Sequence, residues 1–349
     1  MMSIKISSHA IGPAHPCFVI AEAGVNHNGS LDLARRLIDA AADAGADAVK
    51  FQTFQTEHLV TADAPKADYQ QQTTGAEETQ FAMLKRLELG EAAHRELMAH
   101  ATARGLIFLS TPFDEPSADL LETLDVAAFK IPSGEVTNLP FLAHLARKRR
   151  PIILSTGMST LAEVESAGAA IRESGEAALA LLHCVSCYPT APADVNLRAM
   201  ETMRAAFNLP IGFSDHTIGG EVALAAVALG ACIIEKHLTL DRTLPGPDHA
   251  ASMEPADFAA LMRGIRNVES ALGHGRKEPV PSEANTAAVA RKSLVAARNL
   301  ASGEVLDASA IAIKRPGTGL APARRSELLG RRTRLPIPAG KLFTLEMLA

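Results

Sequence analysis

The sequence predicts an α/β protein: a parallel (β/α)8 barrel of the TIM class, followed by a small, mostly β module. Three observations predict it. Eight short apolar runs alternate with helical patterns before the alternation stops, and eight such repeats suit a closed barrel better than an open sheet. Nearly every run ends in a residue that can bind or transfer something, and the reaction site of such a barrel lies at its C-terminal strand ends. Beyond about residue 290 the texture changes to short strands broken by Gly and Pro.

In chain order the runs are CFVIAE, ADAVKFQ, LIFLST, VAAFKIPS, PIILST, LALLHCVS, PIGFSDH and ACIIEKH. Their polar ends are Glu22, Lys50 with Gln52, Thr111, Lys130 with Ser133, Ser155, His183 with Ser186, Ser214 with His216, and Glu235 with His237. The segment SLDLARRLIDAAADAG reads as a helix with Ser30 as N-cap and Gly45 as its stop. TLAEVESAGAAIRESG repeats that logic, and GGEVALAAVALG is short and almost wholly apolar, as a helix packed tightly on a barrel is. Only the second connection is long, from about Thr53 to Gly90; its stretch KADYQQQTTGAEETQ reads as a loop over the barrel mouth. PADFAALMRGIRNVESALG closes the barrel, so the first domain spans 1–273. HGRKEPVPSEANTA lacks periodicity and reads as a linker, 274–290. The module 291–349 carries KSLVAARNLASGEVL, AIAIKRPGTGL and TRLPIPAGKLF. At this size it is marginal alone and gains from packing on a partner. KRPGTG is the segment suited to delivering a residue to an active site.

Composition narrows the function. With no Trp, two Tyr, a net charge of -5 and no basic run, a nucleic-acid partner is excluded. No stretch approaches the ~20 apolar residues of a membrane span, and MMSIKISSHAIGP lacks the apolar core of a signal peptide. Cys17, Cys184, Cys187 and Cys232 are expected as buried, reduced thiols. A soluble cytoplasmic protein is expected.

His216 and His237 end consecutive strands, so their imidazoles should project to one point and bind a divalent metal. One such His would more often be a hydrogen-bonded structural residue; two on neighbouring strands change the odds. Two protein ligands leave positions open for water and substrate, so the ion would act as a Lewis acid. Lys50 and Lys130 end strands two and four. A lone barrel Lys raises a Schiff-base reading, whereas two with Thr111, Ser133, Ser155 and Ser214 read as a clamp for phosphate and carboxylate. Glu22, Glu135 and Asp248 are each a general base, a ligand for sugar hydroxyls or a loop cap. Tyr188 lines the pocket or simply packs. A decayed barrel that only binds carbohydrate is the non-enzymatic alternative, and the intact polar strand ends argue against it.

The motifs AEAGVNHNG, DAVKFQTF, LSTPFD, FKIPSGE, ILSTGMS, LLHCVSCYPT, GFSDHTIG, IIEKHLTLD, GPDHAASM and KRPGTG are similar to those of the bacterial sialic acid synthases, which make N-acetylneuraminic, legionaminic and pseudaminic acids. They span about 20 to 320. The resemblance implies condensation of phosphoenolpyruvate with a 2-acetamido sugar such as N-acetylmannosamine, with release of phosphate. It implies that Lys50, Gln52, Thr111, Lys130, Ser133, Ser155, Ser186 and Ser214 hold phosphoenolpyruvate. Ser186 stands where neuraminate synthases often carry Asn. His216 and His237 would hold the metal, typically Mn2+ with Mg2+ or Co2+ as alternatives, and Glu135 would activate water. Glu22, Tyr188 and Asp248 would contact the sugar. The C-terminal module resembles the antifreeze-like (SAF) domain, whose Arg315 would reach the sugar in the other subunit of a domain-swapped homodimer. The segment YQQQTTGAEETQFAMLKRLEL is more similar to legionaminate-type synthases, for which 2,4-diacetamido-2,4,6-trideoxymannose is the acceptor. A 6-phosphorylated acceptor is a third choice.

Overall fold

The structure is a computed structural model that describes residues 3–75 and 77–349. The chain divides into two units, residues 1–273 and 274–349.

A hairpin of β1 (Ile4–Ile6) and β2 (His9–Ile11) opens the first unit. Eight parallel strands follow: β3 (Phe18–Gly24), β4 (Ala48–Thr53), β5 (Ile107–Pro112), β6 (Phe129–Ile131), β7 (Ile152–Ser155), β8 (Leu179–Cys184), β9 (Ile211–Asp215) and β10 (Ile233–His237). Their hydrogen-bonded order is β5-β4-β3-β10-β9-β8-β7-β6. β5 and β6 lie against each other at the seam, without a ladder among the described residues. The result is a nearly closed TIM-type barrel.

Helices α1 (Leu31–Ala44), α5 (Glu91–Ala103), α6 (Glu115–Thr123), α7 (Leu139–Arg147), α8 (Leu161–Ser174), α9 (Ala199–Phe207), α10 (Glu221–Ala228) and α11 (Pro255–Leu272) run between and after the strands. Local chemistry sets their ends. Ser30 Oγ accepts from Leu33 N–H at the start of α1, and Gly45 closes it at φ 85°, a left-handed value that suits glycine. Thr160 and Glu163 form a reciprocal capping box on α8. None of the described helices is long and apolar enough to cross a membrane.

Strand alternation separates two cores. Val19, Val49, Phe129, Leu154 and Phe213 face the helices. Ile20, Leu109, Ile153, Leu182 and Ile233 fill the barrel's interior, where Ile4, Ile6 and Ile11 of the hairpin join them. The interior is therefore apolar except at the strand C-termini.

The long second connection is not the bare loop its composition suggests. It contains three short helices: α2 (Thr56–Leu59), α3 (Asp68–Thr74) and α4 (Gln80–Lys85). Buried Lys66 ties the segment together, donating to Thr74 Oγ1 (2.8 Å), Gly75 O (3.0 Å) and Glu78 Oε1 (2.9 Å). Val25, Phe54, Met83 and Leu87 form a separate apolar cluster beneath it.

The second unit holds a further helix, α12 (Ala284–Ala290), inside the stretch expected to be an unstructured linker. β11 (Ser293–Ala296) and β12 (Ile311–Lys314) pair antiparallel over a core that includes Leu294, Leu306, Leu328 and Phe343. The expected third strand, TRLPIPAGKLF, makes only isolated bridges, among them Ile337 with Leu300. Pro336 and Pro338 flank Ile337 and have no N–H to extend a ladder.

Candidate active site

The C-terminal ends of the barrel strands enclose a cavity of about 500 Å³. It is lined by Glu22, Lys50, Gln52, Thr111, Lys130, Ser133, Glu135 and Ser155, and by Ser186, Tyr188, Ser214, His216, His237 and Asp248. Arg315 lies on the second unit, exposed, with its Nε–H donating to Ala290 O (3.1 Å). His183 does not join the cavity lining: its Nε2–H donates to Val195 O (2.6 Å) and its ring stacks on Phe213.

The floor is a buried charge network. Lys50 Nζ lies 2.7 Å from Glu22 Oε2 and donates to Thr111 Oγ1 at 2.9 Å. Lys130 Nζ lies 3.3 Å from Glu235 Oε1, which also accepts from Ser214 Oγ at 2.8 Å. Glu235 Oε2 stands 3.9 Å from Lys50, beyond hydrogen-bond reach, and is buried without a partner. Gln52 Nε2 donates to Glu22 Oε1 (3.3 Å). Glu235 thus sits between the two lysines. Nothing in the sequence beyond its place in ACIIEKH marks it, because its role depends on residues of four other strands, β3, β4, β6 and β9, converging on it.

Burial and pairing set the charges on this floor. Burial pushes the Glu22 carboxyl up to about 7, against the pull of Lys50. Glu235 is as deeply buried, yet the adjacent Lys130 and Lys50 ammoniums hold it well below the usual carboxylate range. Burial opposes the charge on Lys50, but Glu22 and Glu235 overcome it and raise its pKa. For Lys130 burial prevails and its pKa falls. Two cations therefore face one firmly ionised carboxylate and one that titrates readily.

Beside the floor lie hydroxyls with room for an anion. Ser155 Oγ is buried without a partner. Ser133 Oγ contacts Cys184 Sγ (3.1 Å) and accepts from Gly157 N–H (2.8 Å). A Cβ at Gly157 would meet Cys184 Sγ and Ser133 Oγ at 2.9 Å, and Ser186 Oγ closer still. A side chain at 157 would have to displace these three groups, and glycine leaves the cradle open. Cys184, Cys17 and Cys232 are buried as expected; Cys187 is exposed.

His216 and His237 stand with ring centroids 5.4 Å apart. His216 Nδ1–H donates to Val185 O (2.7 Å), which leaves the lone pair on Nε2. His237 Nδ1 is buried without a hydrogen bond, 3.8 Å from Asp248 Oδ2. Burial lowers the pKa of both imidazoles, so both are neutral, the form that ligates metal. Among the described residues no three His, Cys, Asp or Glu are grouped to hold a metal ion. The free Nε2 of His216 and the unpartnered ring nitrogen of His237 suit an ion with two protein ligands and positions left for small molecules. Burial lifts Asp248 to about 6 and also raises Glu135, whose Oε2 accepts from Asn138 Nδ2 (2.7 Å).

Tyr188 packs against His216 at 4.1 Å between centroids, and Tyr69 of α3 packs on Tyr188 at 5.0 Å. Gln70 and Gln80 line the same wall, with Gln80 Nε2 donating to Gln70 Oε1 (3.2 Å). Sequence reasoning assigned no role to Tyr69, Gln70 or Gln80, since helices this short show no periodicity. The remaining outer wall is apolar: Val25, Phe54, Leu59, Met83, Leu87 and Phe113. Lys50 and Lys130 are the only Lys or Arg among the described lining residues.

Fold and mouth together define a TIM-barrel enzyme whose pocket joins a cationic floor to an apolar outer chamber. The NeuB family model matches residues 37–277, and the SAF domain model matches 291–349. The chain belongs to the NeuB family. It is 47% identical over 339 residues to the N,N'-diacetyllegionaminic acid synthase of Legionella pneumophila, covering 96% of this chain and 95% of that one. It is 48% identical over 315 residues to the synthase of the same name from Campylobacter jejuni, covering 90% and 94%. Among solved structures it resembles the N-acetylneuraminic acid synthetase of Leptospira borgpetersenii, with a TM-score of 0.72 and 37% identity over 82% of this chain and 95% of that one.

Proposed function

We propose that the protein is a nonulosonate synthase that condenses phosphoenolpyruvate with a 2-acetamido aldose and releases phosphate. The observation that carries this reading is the pair of buried lysines around Glu235, set next to the paired imidazoles of His216 and His237. Lys50, Lys130, Gln52 and Thr111 would hold one end of phosphoenolpyruvate, and Ser133, Ser155, Ser186 and Ser214 the other. His216 and His237 would hold a divalent metal, Mn2+ before Mg2+ or Co2+, which when bound polarises the acceptor's aldehyde oxygen. Glu22, Tyr188 and Asp248 would orient the open-chain sugar over the enol carbon. Carbon 3 of the enol bonds to the aldehyde carbon, and the aldehyde oxygen takes up a proton. Glu135, at the edge of the cavity with its pKa raised by burial, would accept a proton from the water that adds to carbon 2. Breakage of the carbon 2–oxygen bond then expels phosphate and leaves a nine-carbon 2-keto acid.

The outer chamber favours 2,4-diacetamido-2,4,6-trideoxymannose as acceptor. An apolar wall with the amides of Gln70 and Gln80 suits a methyl group and a second acetamido group. Among the described residues of that wall there is no Lys or Arg to pair with a 6-phosphate. Purified enzyme offered this sugar, N-acetylmannosamine and its 6-phosphate side by side should give the highest kcat/KM with the first. Oxygen-18 in the enol bridge should leave with phosphate. Higher kcat/KM for the phosphorylated sugar would overturn the acceptor assignment. A borohydride-trapped adduct with pyruvate would replace the whole reading with Schiff-base chemistry.

We further propose a cytoplasmic, domain-swapped homodimer in which Arg315 serves the acceptor's N-acetyl group in the second subunit's site. Arg315→Ala should raise KM for the sugar about tenfold or more, as loss of a charged hydrogen bond does, and leave KM for phosphoenolpyruvate unchanged. Mixing it with a His216→Ala chain should restore part of the activity. Absence of rescue would count against the exchange.

A further inference from the structure

The reaction proposed above uses nothing on the helix-facing side of the last two strands, yet a buried ion pair sits there. Lys236 Nζ donates to Asp215 Oδ2 at 2.8 Å and to Thr217 O at 2.5 Å. Asp215 Oδ1 accepts from Thr217 N–H (2.9 Å) and from Thr217 Oγ1 (2.8 Å). Asp215 is 1% exposed and Lys236 2%. A buried ion pair is a poor source of stability, because desolvation of both charges offsets their attraction and an apolar pair fills the same space at lower cost. Its presence calls for a geometric reason.

The register supplies one. Ser214 pairs with Glu235, and Asp215 pairs with Lys236, in the β9–β10 ladder. The next residues along each strand are His216 and His237. Alternation turns the 214/235 row toward the floor, where Ser214 donates to Glu235, and the 215/236 row away from it. The imidazoles therefore follow directly on a cross-strand pair whose hydrogen bonds also close the turn through Thr217. That turn is held from the other side as well, where Thr190 N–H donates to His216 O (2.9 Å).

We propose that Asp215 and Lys236 are positioning residues for the imidazole pair: their ion pair pins β9 on β10 and so fixes the spacing of His216 and His237. This rests on the reading of the two imidazoles as a metal site. The binding residues for phosphoenolpyruvate lie mainly on β4 to β8, so disturbance at 215/236 should separate the two ligands.

The test titrates Mn2+ and phosphoenolpyruvate separately into wild type, Lys236→Met, Asp215→Asn and Thr217→Val, with Tm measured for each. Thr217→Val keeps the ion pair and serves if Lys236→Met does not fold. The Kd for Mn2+ should rise about 10- to 100-fold in Lys236→Met and Asp215→Asn, the range found for residues that orient metal ligands. A smaller rise is expected in Thr217→Val, and the Kd for phosphoenolpyruvate should stay within about twofold throughout. Unchanged Mn2+ affinity at a lowered Tm would overturn the proposal, since the pair would then serve stability alone. Equal loss of both ligands would also overturn it. Wild-type protein that binds no Mn2+ would instead sink the metal reading itself.

Discussion

Replacing His216 with alanine should abolish turnover and weaken Mn2+ binding by more than roughly a hundredfold, beyond the loss caused by removing an outer partner of a ligand. The fold should survive. The imidazole makes one hydrogen bond, to Val185 O, and packs on Tyr188, so its loss should cost about 1–3 kcal/mol, the ordinary range for one substitution. Calorimetric titration with Mn2+, a phosphate-release assay and thermal melting separate these effects. Full activity of the wild-type enzyme after exhaustive chelation would refute the metal role of the imidazoles.

Lys50→Met should strip the floor of the cation that faces both Glu22 and Glu235. Breaking a buried pair by deleting one partner costs about 3–5 kcal/mol. Here Glu22, already pushed up to about 7 by burial, can recover part of that by taking up a proton. Binding of phosphoenolpyruvate should be lost, because one of two lysines that meet the anion is gone. Adding Glu22→Gln should return much of the stability and none of the binding. Urea midpoints and phosphoenolpyruvate titration of the single and double variants read the two effects apart. A single variant that binds phosphoenolpyruvate within twofold of wild type would remove Lys50 from the anion site.

Much of this architecture is legible in the amino-acid sequence. Strands buried on both faces have to be continuous apolar runs, and a polar residue at the end of such a run stands where the sheet stops and the pocket begins. That is why Lys50, Thr111, Lys130, Ser155 and Ser214 could be picked out one by one. The capping residues Ser30 and Thr160 were equally plain, since each acts on a backbone group three residues away. Features that depend on several strands at once were not legible. Glu235 reads as one more strand-end carboxylate until β3, β4, β6 and β9 are arranged around it. The lid helices and α12 run for four to seven residues, too short for a 3.6-residue period to emerge from polar or alanine-rich sequence. The ion pair of Asp215 and Lys236 was hidden for a different reason: its members alternate with the residues that drew attention, and face the other way.

The cradle at Gly157 bears on how this gene can drift. A single methyl group there would occupy space claimed by the oxygens of Ser133 and Ser186 and the sulfur of Cys184, whereas the next residue, Met158, is 75% exposed. Two adjacent codons are thus constrained for different reasons: the first by the three side chains crowded around it, the second by a backbone held at φ 60°, which disfavours β-branched residues and excludes proline.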